Sequence, residues 1–75
     1  MRLSKVKHQT KVRVLFLNTE DKNIKRRLCD LGIYAGEKLT VLKTSILKKV
    51  MLIEVKNYCL CLKTQIANDI EVEIE

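Results

Sequence analysis

Seventy-five residues, with two glycines, no proline and a net charge of +6, make one small domain spanning residues 1–75. A chain this short buries only about 60–65% of the surface its unfolded form exposes, which leaves little room for a deep catalytic pocket beside its core. A hydrophobic fraction of 47% belongs to a globular chain rather than a disordered one, and no apolar run approaches the ~18–20 residues that span a bilayer. Residues 1–30 carry nine basic and three acidic side chains, whereas residues 31–75 carry six of each. The basic half therefore suits nucleic acid, an acidic protein surface or anionic lipid, or serves only solubility.

Residues 1–10 are polar and basic with no apolar segment behind them, so they do not read as a secretory signal. Leu3 and Val6 are their only large apolar anchors beyond Met1, spaced for a short turn over one end of the domain. Lys11 to Leu17 reads as a strand with Val12, Val14 and Phe16 on one face, Phe16 in the core, and Leu15 and Leu17 on the other. Asn18, Thr19, Glu20 and Asp21 offer N-caps and first-turn acids for a helix whose stripe is Ile24, Leu28 and Leu31. Gly32 stops that helix as a left-handed residue, with Ile33 at the apolar position of a Schellman motif. Tyr34 to Glu37 is a turn with Gly36 at its positive-φ position.

Lys38 to Thr44 is the next strand, with Leu39 and Val41 on one face. Val50 to Lys56 follows, with Met51, Ile53 and Val55 together, and Asn57 closes a tight hairpin into Tyr58 to Lys63. Ile70, Val72 and Ile74 alternate with Asp69, Glu71, Glu73 and Glu75 in a strand with an acidic outer face. The sum is a mostly β domain: about five short antiparallel strands, one helix between the first two, and a closed or nearly closed barrel. An SH3-like barrel is the simplest fit, with an OB-fold close behind on pattern alone.

The residues that carry chemistry are few. Cys59 and Cys61 sit on one strand face about 7 Å apart at Cα, and Cys29 lies on the helix. With His8 they do not match the spacing of a zinc knuckle, so the thiols are expected as small core residues and no metal or cofactor site is assigned. Three cysteines are an odd count that argues against a disulfide framework and for a reducing cytoplasm. His8 has no acid or nucleophile near it in sequence, and there is no P-loop or nucleophile elbow, so no catalytic residue is assigned. Lys5, Lys7, Lys11, Arg13, Lys25, Arg26 and Arg27 are suited to phosphate contacts, but Phe16, Tyr34 and Tyr58 are too scattered for a base-stacking platform. Binding to nucleic acid stays the alternative function. The tip Ser45-Ile46-Leu47-Lys48-Lys49 places two large apolar residues where Gly, Asn or Asp is usual. Either these residues face a protein partner, or the loop folds back over the barrel mouth.

The run Arg26-Arg27-Leu28-Cys29-Asp30-Leu31-Gly32-Ile33-Tyr34-Ala35-Gly36-Glu37 is followed by Leu39-Thr40-Val41-Leu42. Downstream come Asn57-Tyr58-Cys59-Leu60-Cys61-Leu62-Lys63, Ala67 and Ile70-Glu71-Val72. In that order and spacing, and with the opening Leu3-Ser4, the chain resembles the FeoA family over nearly its whole length. It departs from the family in Ala35 for a proline, Asn57 for a glycine, and a Ser45–Val50 loop without the usual glycine and proline. The resemblance implies an SH3-like fold and a cytosolic protein that assists FeoB, the membrane ferrous-iron transporter with a GTPase domain, by protein contact. Similar domains form the C-terminal part of some iron-dependent repressors; no DNA-binding half is present here, so action alone or with a separate protein is expected. The expected contact surface is Ile46, Leu47 and Lys48 on the loop with Lys25 and Arg26 on the helix, where apolar groups stand beside positive charge. An open barrel edge would leave a route to a homodimer, and no direct membrane insertion is expected.

Overall fold

The computed structural model describes residues 1–45, 47 and 49–75. Alternating aliphatic residues build β1 (Thr10–Leu17), β2 (Lys38–Thr44), β3 (Val50–Val55), β4 (Tyr58–Lys63) and β5 (Ile70–Ile74). Helix α1 (Lys22–Asp30) lies between β1 and β2, and the single turn α2 (Thr64–Ala67) lies between β4 and β5. The strands form one antiparallel sheet in the order β4-β3-β2-β1-β5. Val12, Val14, Leu39, Val41, Ile53, Leu62 and Val72, drawn from all five strands, converge in one core, so the sheet wraps around its own inner face. The expected barrel is realised with one difference: among the described residues β4 and β5 do not pair, and the sheet stays open.

The helix is fixed at both ends by local chemistry. The Asp21 carboxylate accepts the main-chain N–H of Asn23 at 2.9 Å and of Ile24 at 3.3 Å, satisfying donors that the first turn leaves free. At the other end Gly32, at φ +93°, donates to Cys29 O at 3.0 Å, and Ile33 donates to Leu28 O at 2.8 Å. This is the Schellman pair, and it drives Ile33 into the core with no exposed surface. Gly36, also at φ +93°, sits in a turn closed by Glu37 N–H donating to Tyr34 O at 3.1 Å. Leu3 and Val6 are buried as expected, and the N-terminal turn packs on α2 and β5.

Three expectations are corrected. Phe16 is not core: Val14 faces Val72 but Phe16 faces Glu71, so β1 advances two residues where β5 advances one. Leu15 is the extra residue of this β-bulge, and beyond it the alternation reverses. Leu17 turns inward against the core, while Leu15 and Phe16 are exposed, Phe16 by 50%. A second bulge, at Leu42, shifts β2 between Val41 and Lys43. The tight hairpin between β3 and β4 forms, but its left-handed residue is Lys56 at φ +53° rather than Asn57. The Glu37 carboxylate lies 3.7 Å from the Lys56 ammonium, a tether available to Lys56 but not to Asn57. Finally, Cys29, Cys59 and Cys61 are all exposed rather than packed in the core.

Candidate protein-contact surface

Helix α1 presents Lys25 and Arg26 to solvent because Leu28 is spent on the core and Ile24 packs beside it. Leu47 lies in the connection between β2 and β3. Ser45 organises that connection: its N–H donates to Val50 O at 2.9 Å, and its Oγ accepts from Lys49 N at 3.0 Å and Val50 N at 3.3 Å. With the loop closed on itself, Leu47 is 75% exposed and does not cover the barrel. Ile46 and Lys48 lie outside the described residues. Among the described residues no hydrogen bond joins the loop to Lys25 or Arg26, and the loop and the helix are two exposed features.

Between them runs β4. On the outer face of the sheet Leu52 is flanked by Lys43 on β2 and Cys61 on β4, and with Val50 these side chains line a shallow cleft. On the inner side a second cleft of about 260 Å³ separates α1 from β4. Ile24, Leu31, Leu60 and Ile66 line it with apolar surface, and Arg27 adds positive charge. Cys61 borders both clefts. This apolar border is not among the residues expected from the sequence. Its signal was present: Leu52 and Val50 are apolar at outward positions of β3, opposite outward Cys61 and Lys63, so both faces of this hairpin carry apolar groups.

The remaining candidates are less suited to a site. Among the described residues no group of three or more His, Cys, Asp or Glu side chains converges as metal ligands would, and His8 is exposed in a turn. Arg13 is drawn out of the basic stretch by Glu75, at 3.2 Å. At the end of the sheet Tyr34, Glu37 and Lys56 form a small cluster, with the Lys56 ammonium 3.5 Å from the Tyr34 hydroxyl. That hydroxyl first, then the Lys38 N–H and the Lys56 charge, hold the Glu37 carboxyl below its ordinary value; Tyr34 and Glu37 hold Lys56 above its own. No helix among the described residues is long and apolar enough to cross a membrane.

An open, five-stranded antiparallel sheet wrapped on one core, with a helix between its first two strands, is an SH3-like domain. The chain belongs to the FeoA domain family, whose model matches residues 1–74. The FeoA protein of Chlorobium tepidum is 31% identical and superposes with a TM-score of 0.90 over 99% of this chain and 70% of that one. A FeoA-like protein of Clostridium acetobutylicum is 24% identical, with a TM-score of 0.87 over 99% of this chain and 85% of the other. Stenotrophomonas maltophilia FeoA, solved with zinc and described as a prokaryotic SH3 domain protein, is 24% identical, with a TM-score of 0.83 over 97% and 89% of the two chains. No curated protein sequence matches the chain.

Proposed function

We propose that this chain is a small cytoplasmic accessory protein of ferrous iron uptake, which acts by contact with the cytosolic GTPase region of a FeoB-type transporter and catalyses no reaction itself. The observation that carries this reading is the family match over residues 1–74. The S. maltophilia relative, named as a candidate ferrous iron transport activating factor, points the same way. The chemistry of the surface is consistent with it. Lys25 and Arg26 are exposed on α1 and Leu47 is exposed at the loop tip, the pairing of charge and apolar area that protein contacts use. Ile46 and Lys48 complete the proposed surface by their place in the sequence.

The test is a titration of the purified transporter region with the protein and with two variants, Leu47→Ser and the double charge reversal Lys25→Glu/Arg26→Glu. Exposed positions of this kind leave stability within about 0.5 kcal/mol of the parent. Saturable binding that each variant weakens supports the reading and this surface. Binding that neither variant changes places the contact elsewhere. Retention on a single-stranded oligonucleotide in physiological salt, with no transporter binding, contradicts the reading and favours a nucleic-acid function.

A further inference from the structure

The two edges of the sheet are treated differently. Strand β5 carries Glu71 and Glu73, and its outer side is already occupied: Val72 N–H donates to Met1 O at 2.7 Å, and Arg2 bridges to Glu71. Strand β4 has none of these devices. It pairs with β3 over six positions without a register shift and has no charged residue before Lys63. Its hydrogen-bonding parity follows from the hairpin. Thr64 N–H donates to Lys49 O at 3.0 Å, one pair beyond Val50↔Lys63. Even-numbered residues of β4 therefore bond to β3, and the main-chain groups of Cys59, Cys61 and Lys63 point away from the sheet. No hydrogen bond among the described residues reaches the outward groups of Cys59 and Cys61, Lys63 stands as the N-cap of α2, and all three residues are exposed. A regular, unbulged, nearly uncharged edge is what folded proteins avoid unless something pairs with it.

We infer that β4 is a docking edge that takes an extended segment of the partner as a sixth strand. This rests on the contact with a transporter proposed above and names the surface and the chemistry that would occupy it. Residues of the incoming strand opposite Leu60 and Leu62 share their face of the sheet and enter the cleft lined by Ile24, Leu31 and Ile66, so they are aliphatic. Residues opposite Cys61 and Lys63 stand on the outer face beside Lys63, so they are acidic. The occupant is thus a strand of alternating aliphatic and acidic side chains. A second copy of this chain is disfavoured because a twofold β4–β4 pairing would set two basic α1 helices and two copies of Lys63 about one seam. Strand addition of this type draws affinity from the main chain and specificity from the alternate side chains.

The experiment uses a capped heptapeptide of alternating valine and glutamate and the ¹⁵N-labelled protein. On binding, the amides of Cys59, Cys61 and Lys63 shift and exchange with solvent at least about tenfold more slowly. The same peptide with lysine for glutamate binds at least about tenfold more weakly, and one N-methylated at alternate residues does not bind. On the protein side, Cys61→Pro removes only an outward N–H, a position where an edge strand tolerates proline. It lowers affinity for both the peptide and the transporter region at least about tenfold; if Cys61→Pro does not fold, the N-methylated peptide tests the same bonds. Peptide shifts that avoid β4, or tight binding by the N-methylated peptide, overturn the docking edge. Transporter binding undiminished in folded Cys61→Pro overturns it while leaving the partner reading intact. Edge binding of the peptide without transporter binding leaves the edge standing and removes the partner.

Discussion

Gly32 and Gly36 share one backbone conformation, φ +93°, but not one environment, and alanine at each separates two costs. A side chain forced to positive φ costs roughly 1–2 kcal/mol at either site. At Gly36 nothing lies within 4 Å of the added methyl, so Gly36→Ala stops at that figure. At Gly32 the methyl would meet Val55 Cγ1 at 3.2 Å and the Tyr58 hydroxyl at 3.5 Å. Val55 is fully buried in β3 and cannot swing aside, so overpacking adds about 1–3 kcal/mol. Urea unfolding of both variants beside the parent measures the difference, which is at least about 1 kcal/mol, or roughly 4–8 °C in Tm for a domain this size. Equal losses at the two positions would refute the reasoning that Gly32 lies tightly against Val55 of β3 and Tyr58 of β4.

Asp21→Ala removes the carboxylate that caps α1 and lowers stability by about 1 kcal/mol in the same unfolding assay, whereas Asp21→Asn costs less than half of that. Phe16→Ala loses no more than about 1 kcal/mol because the ring lies half in water outside the bulge, while Ile53→Ala at the fully buried centre of β3 loses about 2–5 kcal/mol; similar losses would mean that Phe16 is core after all. Glu37 has its carboxyl held low in the folded state, so its contribution is present above the ordinary value of 4.5 and is lost as pH falls through the lower, folded value. Unfolding midpoints measured against pH therefore drop less in acid for Glu37→Gln than for the parent.

Most of the fold was legible because the signals that set it are local. Gly32 followed by Ile33 announces a helix stop wherever it falls, and Met51, Ile53 and Val55 can share a face only as a strand. The errors have one physical origin in common: they depend on what a strand is paired with. A bulge at Leu15 is invisible in the alternation of β1 alone, since it exists only as two residues set against one on β5, and it is what turns Phe16 outward. Lys56 takes the left-handed turn position in place of Asn57, and the partner beside it, Glu37, comes from a distant segment. Cys59 and Cys61 are apolar enough for a core, but their parity in the hairpin sends Leu60 and Leu62 inward instead. The candidate surface was read only in part for the same reason. Lys25 and Arg26 could be placed outside from helix periodicity, and loop composition left Leu47 either exposed or folded over the barrel mouth, whereas the open edge of β4 follows from the order of strands in the sheet, which no single segment records.

The proposed contact with a transporter is tested by titrating the purified cytosolic GTPase region of the FeoB-type transporter from the same cell. Saturable binding at physiological salt is expected, surviving an excess of mixed single-stranded oligonucleotide and weakening in Leu47→Ser. Failure of the folded protein to bind that region, beside tight binding to the oligonucleotide, would contradict it.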